Sequence, residues 1–493
     1  EEAARVCGPG RVHAPLCADR RRSAKGARGA VADCGRVRRL TLRGGEEAGL
    51  QARIFARLDR RLSRNTDRPL ALALSGGGDS VALLRLATEW GRLRGRRIVA
   101  LTVDHGLNPD SAVWSAFAER TARAAGADWR GLRWAGDKPT TGLTAAARAA
   151  RHGLIAEAAR AAGARVVLFA HTADDIAEAE LMRREGANLG RVREWAPSPA
   201  WPQGRGLMLL RPLLGEGREP LRAWLAGRGA DWIEDPANAD PRFGRSRARL
   251  ALAGQGTSFS PQAAPRAAAG LKELGAVGEA AVEASRNVAA RTLAAALVCV
   301  GGGDRPPRGG RLQGLLNRLR DGEAFTATLC GARITAAGAA VTLVREAGEM
   351  TRTGAALLSS ARLTLTPGVE TVWDGRFAFT AADPGWSVAA GRGRLSQLPE
   401  ADRAALAALA PAARGAWPVL VRDGFSGPVL AGAGIERRGL VAERLRLALD
   451  ETTHEDDLIS APQWRNAMEP PIFPDRHIQT VGPNGAADDR GPQ

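Results

Sequence analysis

Leu74-Ser75-Gly76-Gly77-Gly78-Asp79-Ser80 constrains this chain more than any other stretch, because it lies between an apolar run ending at Leu74 and the helix-like run 81–86. A strand, a glycine turn and a helix start, in that order, form a backbone cradle for an anion. Glycine brings N–H groups close without a Cβ in the way, and the helix adds the positive end of its dipole. Pyrophosphate suits such a turn. Asp79 is the odd residue, since a carboxylate repels bare phosphate; its place there calls for a bridging magnesium ion or a hydrogen bond to an amide or hydroxyl. The turn has neither the Gly-Lys-Ser/Thr ending of a Walker loop nor the Gly-x-Gly-x-x-Gly spacing of a dinucleotide fold.

From about 49 to 190, apolar strands at 70–74, 98–103 and 166–169 alternate with amphipathic helices near 81–94, 111–125, 144–162 and 174–185. That alternation is the mark of an α/β fold, a doubly wound parallel sheet with helices on both faces. Ligands of such sheets gather at the carboxyl ends of the strands. Polar residues collect there: Ser75 and Asp79 after the first strand, Asp104 and His105 after the second, His171, Asp174 and Asp175 after the last. The expected division is a basic extension over 1–48, a catalytic domain over 49–250, a helical and mixed domain over 251–345, a further α+β domain over 346–450 and a disordered tail over 451–493. Within these, 251 to about 300 reads as Ala-rich helix. Short strands are expected at 324–329, 333–335 and 340–344, then at 362–366, 377–380 and 419–421, before a helix over 441–449.

At 493 residues, two or three domains are expected. The net charge of +17, from 70 basic and 53 acidic residues, points to a polyanionic partner such as nucleic acid. Coding bias accounts for arginine over lysine, since only Lys25, Lys138 and Lys272 are lysines, but not for the excess over acids. Cys7, Cys17, Cys34, Cys299 and Cys330 include no Cys-x-x-Cys pair, so neither a zinc ribbon nor an iron–sulfur site is indicated. No apolar stretch reaches the roughly 18 residues of a membrane span, and the expectation is a soluble, cytoplasmic protein with no membrane partner. Residues 1–48 read as a nucleic-acid arm, a transit segment or, favoured because the chain opens with Glu1, sequence upstream of the true start.

Further motifs follow the glycine turn: Asp104-His105-Gly106-Leu107; Ala147-Arg148 with Arg151-His152 and Leu154; Ala170-His171-Thr172-Ala173-Asp174-Asp175 with Glu178; Arg211-Pro212-Leu213-Leu214; and Trp232-Ile233-Glu234-Asp235-Pro236-Ala237-Asn238 with Asp240, Phe243 and Arg245. The Ser-Gly-Gly-x-Asp-Ser turn resembles that of the PP-loop ATP pyrophosphatases. In this order and spacing the whole set, over about 68–250, resembles the tRNA(Ile)-lysidine synthetases. The resemblance implies ATP and Mg2+, an isoleucine tRNA with a CAU anticodon and free L-lysine. It implies adenylation of the C2 oxygen of the wobble cytidine, then displacement of AMP by the lysine ε-amine. Under it, Ser75, Gly76, Gly77, Gly78, Asp79 and Ser80, with Asp104 and His105, hold the nucleotide; Asp79 and Asp174 hold metal. Asp79, His171, Asp175 and Glu178 are the catalytic candidates, Asp175 and Glu178 sharing a helix face toward the lysine ammonium. Arg148, Arg151, Arg211, Arg242, Arg245 and Arg249 offer forked donors to phosphates. Monomer and homodimer stay open.

Several of these residues have plainer readings. His105 is as readily a hydrogen-bonded structural residue, Asp174 a helix cap, Asp235-Pro236 a turn and the arginines of 245–249 a solvated face. The chain also departs from the family pattern: Thr172 stands where a second His is usual, Ile176 where Gln is common, His152 where Tyr, Thr144 where Glu and Ser246 where Asn. A PP-loop tRNA thiolase is disfavoured because no cysteine lies between Cys34 and Cys299. An amidotransferase lacks its glutaminase. A non-catalytic RNA-binding scaffold fits less well with Asp79 and Ser80 both present.

Overall fold

The computed structural model describes residues 44–187, 189–235, 244–253, 270–307, 309–351, 362–425 and 427–459. The chain divides into two compact units: one formed by the residues up to 266 together with 452–461, the other by 267–451 with the residues from 462 onward.

The first unit opens with α1 (Gly44–Arg61), whose stripe Leu50, Ile54, Leu58, with Leu62 just beyond, is fully buried at four-residue spacing. There follow β1 (Leu70–Ala73), α2 (Gly78–Arg94), β2 (Ile98–Asp104), α3 (Ser111–Ala124), β3 (Asp128–Arg133), α4 (Leu143–Ala161), β4 (Val166–Leu168), α5 (Ala173–Arg184), β5 (Trp195–Pro197), β6 (Met208–Leu210), α6 (Arg218–Ala226) and α7 (Gly244–Leu252). The strands lie in the order β3-β2-β1-β4-β6-β5, all parallel except β5, which runs against β6. The chain therefore winds outward from β1 through β2 to β3 and then returns to place β4 on the other side of β1. That reversal makes a topological switch point between β1 and β4, where the connections leaving the two strands diverge and open a crevice.

The α/β expectation holds, and each of the four expected helices begins and ends within three residues of its observed bounds. Strands β3, β5 and β6 had not been expected. β3 carries Asp128, Arg130 and Arg133 on an exposed sheet edge, and β5 and β6 are three residues each, too short for a period to show.

The second unit contains β7 (Leu274–Val277), β8 (Ala281–Ala284), α8 (Ala290–Val300), α9 (Gly309–Arg320), β9 (Phe325–Leu329), β10 (Ala332–Ala337), β11 (Ala340–Arg345), β12 (Arg362–Thr364), β13 (Thr371–Trp373), β14 (Phe377–Ala381), β15 (Trp386–Ala390), α10 (Glu400–Ala407), α11 (Pro411–Arg414), β16 (Pro418–Arg422), β17 (Ile435–Gly439) and α12 (Val441–Ala448). A five-stranded sheet, β7-β8-β11-β10-β9, packs with α8, α9 and α12 around Val282, Leu293, Leu297, Leu319 and Leu445. Two three-stranded sheets enclose a second core of Trp373, Phe377, Phe379, Trp386 and Trp417. These are the smaller α+β parts that the sequence led one to expect. The Ala-rich helix expected from 251 is a different matter: 254–269 lie outside the described residues, and 274–284 form the hairpin β7–β8 before helix starts at Ala290. Alanine on both faces hid the alternation, while Gly278, donating to the Ala281 carbonyl at 2.9 Å, makes the turn.

Residues 452–459, expected as part of the tail, belong to the first unit, and those after 459 lie outside the described residues. After the second unit the chain returns to the first, ending in α13 (Asp456–Ile459). Glu455 is fully buried there, accepting from Arg96 at 2.9 and 3.1 Å and from the Ser63 amide at 2.9 Å, while Trp195 donates to the Thr452 carbonyl. Breaking a buried pair leaves a stranded charge, so Glu455→Ala is expected to cost the first unit about 3–5 kcal/mol, read as a lower urea midpoint. Replacing both partners, Arg96→Met with Glu455→Leu, is expected to recover most of that loss; equal midpoints for wild type and Glu455→Ala would show that the pair contributes nothing.

Candidate active site

The glycine turn joins β1 to α2 at the switch point. Gly76 has φ +85°, and a Cβ there would come within 2.6 Å of Ile233 Cδ1, so the position needs glycine on both counts. Ile233 pins the turn by donating its amide to the Gly76 carbonyl at 2.9 Å and bridging to Gly77. The Trp232-Ile233-Glu234 motif is thereby explained: it buttresses the turn, with Trp232 Nε1 donating to Glu234 at 2.8 Å. Ser80 Oγ donates to the Gly77 carbonyl at 2.8 Å and lies 3.1 Å from Ser75 Oγ, which fixes both hydroxyls at the turn. Gly78, Asp79 and Ser80 open α2, so their amides have no helical acceptor. The result is a preformed anion cradle of the size of a phosphate group.

Acids converge beside it. Asp79, in the first turn of α2, and Asp175 and Glu178, on α5, all face Arg218 from the first turn of α6. Arg218 Nε lies 3.2 Å from Asp79 Oδ2, both its terminal nitrogens lie 3.3 Å from Glu178 Oε1, and Nη2 lies 3.7 Å from Asp175 Oδ1. Asp174 accepts the Arg218 amide at 2.7 Å, capping α6 and not its own helix. Arg249, on α7, donates to Glu178 Oε1 at 2.9 Å. Two carboxylate oxygens are left buried without a partner, Asp79 Oδ1 and Glu178 Oε2. Burial pushes the Asp79 carboxyl up from its ordinary value, against the pull of Arg218.

The other side of the crevice is basic. Arg211 donates from Nε to His171 Nδ1 at 3.1 Å and from Nη1 to the Arg193 carbonyl at 2.8 Å. His152, Phe169 and His171 stack in a column, with ring centroids 5.3 and 5.9 Å apart. Burial and the surrounding arginines pull His152 to about 3 and His171 to about 2, so both are neutral. Since His171 Nδ1 accepts, its proton is on Nε2, a neutral donor. Burial and the neighbouring charges of Arg148 and Arg245 bring Arg151 down to about 10; Arg211 reaches about 10 through burial and the charges of Arg148 and Arg193. The Arg151 Nε is buried without a partner. Such a cluster favours an anion with several negative oxygens.

The candidate residues thus fall into two groups, an acidic one that includes Asp79 of the glycine turn and a basic one around His171. Asp104 stands apart, accepting from the Gly106 amide at 2.7 Å in a turn at the end of β2, where His105 is half-buried edge-on to Trp134. Arg242 lies outside the described residues. Thr172 and Asp175 form the capping box of α5, the Thr172 amide donating to Asp175 Oδ2 at 2.8 Å, so the departure to threonine keeps a helix start. Arg218 was not foreseen. Its signal was available: a cation in the first turn of a helix opposes the dipole and needs acids to hold it.

Residues 50–255 match the profile of a PP-loop domain. A tRNA(Ile)-lysidine synthase of Caulobacter vibrioides is 49% identical over 370 residues, 75% of this chain and 88% of that one. The chain belongs to the tRNA(Ile)-lysidine synthase family. A second member, from Hyphomonas neptunium, is 35% identical over 347 residues, 66% of this chain and 93% of its own length. A solved U34-tRNA thiolase of Methanococcus maripaludis aligns with 43% of this chain and 73% of its own, at 16% identity and a TM-score of 0.36. Membership of this PP-loop family implies ATP use, and the glycine turn lies within the matched residues.

Gly76→Ala must adopt a strained φ and displace Ile233, costing about 1–3 kcal/mol locally; ATP affinity is expected to fall at least about tenfold, measured by calorimetry, while circular dichroism is unchanged. His152 is neutral when folded and titrates near its ordinary 6.5 once unfolded. Its contribution to stability is therefore full above 6.5 and is lost as pH falls from there toward 3. His152→Phe is expected to remove that proton's share, about 1.4 kcal/mol per pH unit, from the fall in stability between pH 6.5 and 5, measured by urea unfolding.

Proposed function

We propose that the chain is an ATP-dependent tRNA(Ile)-lysidine synthase, joining the ε-amine of free lysine to C2 of the wobble cytidine of an isoleucine tRNA with a CAU anticodon. The observation that carries the reading is the pairing of an acidic group, with two unpartnered buried oxygens, and an arginine group around one phosphate cradle. Each group suits one reactant: cationic lysine and magnesium on one side, the phosphates of ATP and tRNA on the other.

The turn amides and the hydroxyls of Ser75 and Ser80 bind the pyrophosphate of ATP. Among the described residues no three His, Cys, Asp or Glu lie close enough for an all-protein metal site. Magnesium held mainly by phosphate and water needs only one or two carboxylates. Asp79 Oδ1 fits that need, and Asp174 offers the oxygen not committed to Arg218. The metal, when bound, neutralises the departing pyrophosphate. His171 Nε2–H donates to the α-phosphate as charge shifts there during attack by the cytidine O2. Arg148, Arg151, Arg211 and Arg245 hold phosphate oxygens of the nucleotides. Asp175 and Glu178 take the lysine ammonium, and one of them accepts the proton that leaves the amine before its nitrogen bonds to C2 and AMP departs.

Sulfur transfer lacks support: both described cysteines belong to the second unit, and Cys299 is buried with its thiol pushed up to about 11. The test is incubation with ATP, Mg2+, labelled lysine and an isoleucine tRNA transcript carrying CAU, with an elongator methionine tRNA as control. Label is expected in the isoleucine tRNA alone, with stoichiometric AMP, and Asp79→Asn is expected to abolish it without loss of folding. ATP cleavage that requires tRNA but not lysine would refute the amine acceptor. The protein is expected to be cytoplasmic; no helix among the described residues is long and apolar enough to cross a membrane.

A further inference from the structure

Arg218 lies where the reaction needs a different cation. We propose that its guanidinium is a resident occupant of the amino-acid ammonium subsite, so that lysine enters by exchanging one cation for another. This rests on the reading of Asp175 and Glu178 as the lysine ligands.

The contacts of Arg218 are unlike those of the structural arginines in the same chain. Arg53 grips both oxygens of Glu216 at 3.1 and 2.8 Å, Arg96 both of Glu455 at 3.1 and 2.9 Å, and Arg345 both of Asp374 at distances from 2.9 to 3.1 Å. Those are forked pairs that satisfy both partners. Arg218 instead spreads over three acids at 3.2, 3.3 and 3.7 Å, directs two donors at one oxygen of Glu178, and leaves Glu178 Oε2 and Asp79 Oδ1 buried and unpartnered. A planar fork fills this acidic space incompletely. A compact ammonium with three rotatable donors can reach Asp175 Oδ1 and Glu178 Oε2 together.

The backbone is arranged for the side chain to leave while its helix stays. Asp174 holds the Arg218 amide at 2.7 Å, and Gly217 caps α6 in an extended conformation. Departure of the guanidinium is then a rotamer change. It also frees Asp79 Oδ2 beside the unpartnered Oδ1, so one movement opens both the ammonium subsite and a magnesium-binding carboxylate. Without lysine, Arg218 supplies the counter-charge to these acids, and its occupancy reduces apparent lysine affinity in proportion to the fraction of molecules in which it is away.

The experiment measures lysine binding by calorimetry, with ATP and Mg2+ present, to wild type, Arg218→Ala, Arg218→Gln and Arg218→Lys. Methylguanidinium serves as the competing probe. Lysine is expected to bind Arg218→Ala and Arg218→Gln about tenfold more tightly than wild type, and Arg218→Lys more weakly than wild type because its own ammonium fits the subsite better than the guanidinium. Methylguanidinium is expected to compete with lysine in Arg218→Ala and not in wild type. Equal or weaker lysine binding in both neutral variants, without competition, would make Arg218 a fixed wall of the site and overturn the exchange. If Arg218→Ala fails to fold, Arg218→Gln decides by the same two readouts. Wild type that binds lysine but leaves the isoleucine tRNA unlabelled would refute the proposed reaction and leave the exchange standing.

Discussion

Like charges held together out of water must find a counter-charge, and the crevice between β1 and β4 is organised by that requirement. On one side Arg151 and Arg211 are brought down to about 10 by burial and by other arginines, with no carboxylate among the causes. On the other, Asp79, Asp175 and Glu178 share Arg218, with Arg249 added at Glu178. Neither group is at its best alone, and each is set for an opposite ion. The glycine turn carries Asp79 of the acidic group and offers neutral amides suited to an anion.

The scaffold that holds these charges is ordinary in its physics. Parallel strands with buried residues on both faces need helices on both sides, and the switch in strand order leaves a crevice free of covering helix. The turn is then clamped by backbone pairing to Ile233 and by the hydrogen bonds of the two serine hydroxyls. Rigidity at this point matters because amides help a developing charge only if they do not reorient as it forms. The same logic applies to His171: Arg211 fixes its tautomer, so the Nε2 donor is set in advance of any ligand.

Much of this was legible in the sequence because local chemistry wrote it there. Glycine at 76 and the Ser75–Ser80 turn follow from short-range needs, and helices α2 to α5 carry their own period. What stayed illegible depends on distant partners. β6 is three residues long and exists because β4 and β5 flank it. The role of Asp174 as a cap for α6 joins residues 44 positions apart. Glu455 looks like one acid in a polar tail until Arg96, 359 residues away, makes it a buried anchor. Thr172 stood out only as a departure from the family pattern, yet its capping of α5 with Asp175 is a local motif that the pattern Thr-x-x-Asp already contained.

Composition bears on the site as well as on the partner. With only three lysines in 493 residues, almost every internal cation is a guanidinium, and most of these work as forked clamps on carboxylates or carbonyls. Under the proposed exchange, the acidic group needs a counter-charge before lysine arrives, because burial raises the carboxyl of Asp79 toward protonation. A guanidinium does this with charge of the right sign and shape of the wrong kind: planar, weakly hydrated and unable to satisfy Glu178 Oε2 and Asp79 Oδ1 at once. A lysine in its place would match the subsite as the substrate does and compete with it on equal terms. Under that exchange, the misfit of Arg218 is therefore what lets the acidic group be both neutralised and available to an ammonium ligand.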